Sequence, residues 1–251
     1  MTDLTAGDLE LLGRIMPASN HTFLAQLSSG ERVVYKPVAG ERPLWDFPHG
    51  TLAGREYAAH LVSEALGWGI VPPTVLREGP HGTGMVQLWR EPAPGVGVVD
   101  VVPAGQLPEG WLHVLTAEDA EGRDVDLIHE DSAELLRMAV FDVITNNTDR
   151  KGGHILAMSD GSRLGVDHGI CFHVEDKLRT VLWGFAGRRL DEETIDAVLA
   201  LAADESLLET LNEHLAVDEV EALRARCHRL ASMGQMPSMG PGWPAIPWPP
   251  F

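Results

Sequence analysis

The sequence predicts an α+β chain of two lobes, a small antiparallel-sheet lobe followed by a larger, mostly helical lobe. Three observations carry this reading. The first ninety residues hold short apolar and β-branched runs separated by turn residues. A Pro/Gly-rich break follows Trp89. Helical periodicities dominate beyond residue 131. The expected division is one domain over residues 1–231, with the small lobe at about 15–90 and the large lobe at about 110–231. A Pro/Trp-rich tail fills 232–251. With 251 residues, 44% of them apolar, there is enough material for a real core.

Residues 3–16 read as a short amphipathic helix, with Leu4, Leu11, Leu12 and Ile15 on one face. Residues 19–37 read as a hairpin that turns at Ser28-Ser29-Gly30 and ends at Pro37, which has no N–H for a ladder. A helix is expected over 52–66. Thr51 is its N-cap, Gly67 its stop, and Tyr57, Leu61, Val62, Ala65 and Leu66 its apolar face. Strands at 72–77 and 83–90 flank the turn Gly79-Pro80-His81-Gly82. Residues 98–130, broken by Pro103, Gly105, Pro108 and Gly110, read as connector, short helices and loop. A helix capped by Asp131 or Ser132 spans 131–146, and a two-stranded hairpin follows it. Val181–Phe185 reads as a packing segment of the larger lobe. Three more helices follow, with Asp191, Asp204 and Asp218 where N-caps belong. The tail holds Trp243, Trp248 and Phe251 among prolines. It reads as an extended segment docked on its own domain or on a protein partner.

Charge and targeting narrow the function classes. The formal net charge is −18 and the sequence pI about 4.9, which argues against nucleic acid and anionic lipid surfaces. Cys171 and Cys227 do not make a disulfide framework, and the first ten residues lack the basic and apolar regions of a signal peptide. No apolar run is long enough for a bilayer. A cytoplasmic protein without membrane insertion is expected.

The chemistry concentrates in residues 141–169. An apolar helix end enters Asn147-Thr148-Asp149-Arg150-Lys151-Gly152-Gly153-His154. A hairpin then leads to Val166-Asp167-His168-Gly169. Two strand-edge aspartates joined by a short hairpin can converge on one point, which suits a metal ion and a proton acceptor at a phosphate. Either aspartate alone could merely cap a turn. Lys36 sits in the strand Val33-Val34-Tyr35, where it must face solvent or an anion. Glu56 either complements a helix dipole or pairs with Lys36. Ser19 and Asn20, in a small polar run, could bring backbone N–H groups over a phosphate. Gln87 and Leu88, at the end of an apolar strand, are where an adenine would lie. His168 and His173 read as turn residues, and no cysteine or histidine spacing supports zinc.

The motifs Val34-Tyr35-Lys36-Pro37, Asn147-Thr148-Asp149-Arg150 and Val166-Asp167-His168-Gly169 resemble those of the phosphatidylinositol 3-/4-kinase superfamily. The chain is similar to type II phosphatidylinositol 4-kinases and to an actinobacterial branch described as phosphatidylinositol kinase-like. The resemblance covers roughly residues 15–230 and implies a two-lobed protein-kinase-like fold, ATP and a divalent metal, Mg2+ or Mn2+. It implies that Lys36 holds the nucleotide phosphates, Glu56 orients Lys36, Asp149 is the catalytic-loop aspartate and Asp167 is the chief metal ligand. The family pattern has a metal-holding asparagine where this chain has His154, and larger lipid kinases have a histidine where it has Lys151. Lys151 could stabilise transferring charge.

The expected activity is therefore transfer of the γ-phosphate of ATP to a hydroxyl on a lipid headgroup, a small alcohol or a protein. A protein serine/threonine kinase, as in bacterial toxin-type kinases of this fold, is one alternative. A non-catalytic nucleotide-binding pseudokinase or scaffold is the other.

Overall fold

The hairpin of β2 (Phe23–Leu27) and β3 (Arg32–Pro37) is the seed of a five-stranded sheet. The sheet is described by a computed structural model covering residues 3–16, 20–240 and 244–251. Its order is β1 (Leu9–Arg14), β2, β3, β5 (Gly82–Leu88), β4 (Thr74–Gly79), with every pair antiparallel. Period-2 alternation sorts β3: Val33 and Tyr35 enter a small apolar cluster with Leu9, Ala25, Leu27 and Val86, while Val34 and Lys36 lie on the opposite face.

The segment expected as an N-terminal helix is instead β1. Leu9 pairs with Leu27 and Leu11 with Ala25 in the ladder. Gly13, unfavourable in a helix, sits where the register shifts, and Leu12 is left exposed. Leu4 still reaches the small cluster, because Arg77 donates to the carbonyls of Leu4, Ala6 and Gly7 and fixes the entering loop.

Helix α1 (Leu52–Leu66) begins and ends as expected. Thr51 accepts from the Gly54 N–H at 2.9 Å, and Gly67 closes it in the left-handed conformation at φ 67°. Its buried face is Ala53, Ala58, Ala59, Val62 and Leu66. Ala65 is exposed, and Tyr57 and Leu61 are half-buried, so the face is rotated from the expected one. Buried Arg55 pins α1 to the larger lobe: it pairs with Glu219 at 2.8 Å and donates to the Cys171 carbonyl at 3.0 Å.

The 98–130 region, expected as connector and short helices, is a three-stranded antiparallel sheet. Its order is β6 (Val99–Pro103), β8 (Asp124–Glu130), β7 (Trp111–Glu118). Pro103, Gly105, Pro108 and Gly110 lie at the end of β6 and in the connection to β7. The acidic run from Glu118 to Asp126 spans the β7–β8 turn, where Asp119 accepts the Glu121 and Arg123 N–H groups. Val98, Val99 and Leu127 join the main core, so the larger lobe is helical with a sheet at its flank.

Helix α2 (Ala133–Thr145) is capped by Ser132 and ends at Asn146, φ 53°. It buries Leu135, Met138, Phe141 and Ile144 completely, worth roughly 1.5–3 kcal/mol each relative to exposure. The hairpin β9 (Ile155–Ala157) and β10 (Arg163–Gly165) follows. After it, Val181, Leu182 and Phe185 are buried in the main core. Helices α3 (Glu192–Ala203), α4 (Glu205–Leu211) and α5 (Val217–Met233) complete the lobe. Asp191 and Asp204 cap α3 and α4, but Ala216, not Asp218, is the residue before α5. There Glu219 reaches back to the Ala216 N–H at 3.0 Å.

The tail docks on its own domain. The Ala245 carbonyl accepts from Thr180 N–H and Trp183 Nε1, Pro247 is buried, and Gly152 N–H donates to the Pro250 carbonyl at 2.8 Å. Either Trp243 or Trp248 is expected to cover apolar surface; Trp248 is 80% exposed, and Trp243 lies outside the described residues.

Candidate active site

Lys36 emerges from β3 on the face opposite the small cluster, toward α1. Its Nζ lies 2.5 Å from Glu56 Oε1 and 2.7 Å from Asp167 Oδ1. Three elements distant in sequence thus meet on one ammonium. Glu56 is buried, and its second oxygen accepts the His168 N–H at 2.9 Å. Burial alone would discharge Lys36, but Asp167 and Glu56 hold its proton more firmly than an ordinary lysine's. The Lys36 charge in turn holds Asp167 well below the usual carboxylate range. Glu56 is pushed up by burial, with Lys36 opposing. Lys36 is therefore an ammonium, and Asp167 a carboxylate, at neutral pH.

Asp167 stands at φ 63°, a left-handed conformation that aspartate tolerates better than most residues. Its side chain is half exposed, unlike that of Glu56. Its other oxygen, Oδ2, lies 3.6 Å from His154 Nε2. His154 Nδ1 is 2.9 Å from the Asp149 carbonyl, which can only accept, so the proton of the neutral ring belongs on Nδ1. Burial lowers the imidazole's pKa, with Asp167 opposing, and favours this neutral form. A ring lone pair then faces a carboxylate oxygen, a donor set suited to a cation between them. A backbone carbonyl orienting the ligating ring is a usual outer-shell arrangement. Asp167 and His154 thus fit a divalent ion. Among the described residues no three His, Cys, Asp or Glu side chains form a closed metal cage. The pair suits an ion that draws its remaining oxygens from a bound phosphate or water.

Asp149 lies on the loop after α2, oriented by its own N–H, which donates to Asn147 Oδ1 at 3.0 Å. Burial raises its pKa, opposed first by Lys151, whose Nζ is 3.4 Å from Asp149 Oδ2. Asp149 and Lys151 are neighbours across this loop, with side chains 26% and 20% exposed, so both can be reached by a ligand.

The loop itself rests on a charge pair that sequence reasoning missed. Arg150 is fully buried and donates through Nε and Nη2 to Asp142 of α2 at 2.8–3.1 Å. It also donates to the His154 and Val166 carbonyls and to His168 Nε2 at 2.8 Å, tying together both aspartate-bearing segments. His168 is therefore a buried strut, not a turn residue. His173, also expected at a turn, is buried against Phe47 and Lys177. The available signal was Asp142, an acid inside the apolar run Val140-Phe141-Asp142-Val143-Ile144, which has to be paired.

The other residues expected at the nucleotide bond to partners outside this cluster. Gln87 is buried, and its side chain donates to Thr74 Oγ1 at 2.9 Å. Leu88 ends β5 and donates its N–H to the Pro73 carbonyl, and the chain then crosses to β6 with Ala93 N–H bonded to Ala157. The Asn20 side chain accepts the Arg42 N–H at 2.9 Å, and Ser19 lies outside the described residues.

No family model matches the chain. The structure is similar to the Golgi casein kinase, with a TM-score of 0.57 and 14% identity over 92% of this chain and 72% of that one. A second structure of the Golgi casein kinase, with Mn and ADP bound, gives a TM-score of 0.58 and 14% identity over 92% and 73%. These likenesses show a kinase-like fold. The sequence is 52% identical over 263 aligned positions to Protein Rv2133c of Mycobacterium tuberculosis, covering 99% of this chain and 94% of that protein. At that identity over nearly the whole of both chains, this kinase-like chain belongs to the family of Mycobacterium tuberculosis Protein Rv2133c.

Proposed function

We propose that this protein is an ATP-dependent phosphotransferase that moves the γ-phosphate of ATP to a hydroxyl acceptor. The observation that carries the reading is Lys36, held between Glu56 and Asp167 at 2.5 and 2.7 Å, with Asp149 on the adjoining loop. Lys36, kept charged and aimed by Glu56, binds nucleotide phosphate oxygens. Asp167 and His154 would hold a divalent ion, which supplies charge neutralisation on the phosphates. Asp149 accepts the proton of the attacking hydroxyl, and Lys151 steadies the charge on the transferring group. The adenine lies against the connector that begins at Leu88, as its apolar strand end favours.

Among acceptors, a protein hydroxyl is favoured over a lipid headgroup. The net charge of −18 opposes an anionic membrane, and the Golgi casein kinase has the same fold. Among the described residues no helix is long and apolar enough to cross a membrane. The phosphatidylinositol-kinase type and a cytoplasmic location rest on the sequence motifs and composition alone. The test is incubation with radiolabelled ATP and Mn2+ or Mg2+, offering casein, phosphatidylinositol vesicles and small polyols in parallel. Transfer to casein supports a protein kinase, and transfer to vesicles restores the lipid reading. Nucleotide binding without label transfer or ATP hydrolysis would leave a pseudokinase.

A further inference from the structure

A second place in the molecule is built around an unspent charge. A cavity of about 280 Å3 lies between the end of α2, helix α5, the loop after His173 and the segment near Pro237. Its apolar walls include Val143, Leu178, Trp183 and Leu230. None of the residues of the Lys36–Asp167 cluster borders it.

Arg226 of α5 lines this cavity and is 3% exposed. Nε donates to the Ile144 carbonyl at 2.9 Å and Nη1 to the His173 carbonyl at 3.1 Å. Nη2 is buried and has no partner. No carboxylate among the described residues pairs with Arg226. Asp176, which also lines the cavity and whose charge opposes the loss of the Arg226 proton, is engaged by Arg229 at 2.9 Å. Two neutral carbonyls orient the guanidinium without neutralising it, and burial pulls its pKa down to about 10. A buried cation left without a counter-ion is costly, and an anion held in the cavity beside the guanidinium would relieve that cost.

We propose that this cavity binds a small organic anion, a carboxylate or phosphate monoester carrying an apolar body, with its head against the Arg226 guanidinium. The volume is near the lower end for small-molecule pockets, which suits a head group with one ring or a short chain. Trp183 and Leu230 give that body an apolar wall, and the fixed guanidinium supplies direction and charge.

The experiment is calorimetric titration of the full chain with octanoate, with phenyl phosphate and with neutral octanol. Saturable binding of one anion, weakened about tenfold to a hundredfold by Arg226→Gln, is expected for a lost charge-assisted contact. Met233→Trp, at the cavity's exposed edge, should also abolish binding while leaving Arg226 and its carbonyl contacts in place. It decides the matter if Arg226→Gln fails to fold. The preferred head group tells carboxylate from phosphate, and binding at Lys36 instead would survive Met233→Trp. The proposal falls if neither anion binds at millimolar concentration, if octanol binds as tightly, or if the folded variants bind undiminished.

Discussion

Two charge clusters lie within one loop of each other and are built on opposite terms. In the Asp142–Arg150 pair both side chains are 0% exposed, and Asp142 receives bonds from Arg150, Asn147 and Thr180. In the Lys36–Glu56–Asp167 set, Glu56 is 1% exposed, Lys36 21% and Asp167 53%. The first cluster has little bonding capacity left and holds the loop. The second grades from a buried anchor to an open carboxylate, and so keeps bonding capacity for something that arrives. Accessibility, more than charge or distance, separates a brace from a working site.

The sharpest way to break the comparison is Asp167→Asn. Asparagine keeps the left-handed backbone but gives up the anionic oxygen, so phosphate transfer should fall roughly 10²–10³-fold, the scale of one lost electrostatic contact. The melting temperature should barely move. Transfer at the parent rate would remove Asp167 from the chemistry. Asp142→Ala should do the reverse. It leaves Arg150 buried without its partner and should cost about 3–5 kcal/mol in denaturant unfolding. A cost below 1 kcal/mol would mean that the loop is held by its carbonyl contacts instead.

Next in size is Lys36→Ala. It should weaken ATP binding by about 1.5–3 kcal/mol, measured calorimetrically on the folded variant. Unchanged affinity and unchanged turnover would return Lys36 to a bystander. His154→Asn should shift metal preference from Mn2+ toward Mg2+, because oxygen replaces an imidazole nitrogen. A metal titration giving the same ratio in both proteins would exclude ligation by His154.

The smallest effect concerns pH. Asp149 must be ionised to accept a proton, and burial raises its pKa, so activity is lost as pH falls through a value above the ordinary one. Lys151 opposes that rise, so Lys151→Met should move the acid limb of kcat/KM further up in pH. A stationary limb would assign it to another group.

Helix α1 was legible to the residue because both of its ends are local chemistry: Thr51 as acceptor and Gly67 in a left-handed turn. Lys36, Glu56, Asp149 and Asp167 were nameable from strand alternation, helix position and loop motif, and the fold brings the first, second and fourth onto one nitrogen. The 99–130 sheet was not legible. Its turn residues are dense and its pairing joins Val99 to His129 and Trp111 to Glu130, a non-local register that no short window contains. Strand β1 escapes a short-window reading because three leucines and an isoleucine, Leu4, Leu11, Leu12 and Ile15, satisfy a partial helical face until Leu27 and Ala25 supply partners. Asp142 escaped because its meaning lies in the partner it meets eight residues later, Arg150.

Gly152 donates its N–H to the tail's Pro250 carbonyl, and its missing side chain has a further meaning for kinship between sequences. A Cβ there would come within 2.8 Å of two Phe251 ring carbons and 3.2 Å of Val99 Cβ. The ring is free to swing where the Val99 backbone is not, so the tail would yield first. A side chain at 152 and an aromatic ring at 251 exclude each other in this packing, so relatives that carry the first should have lost the second.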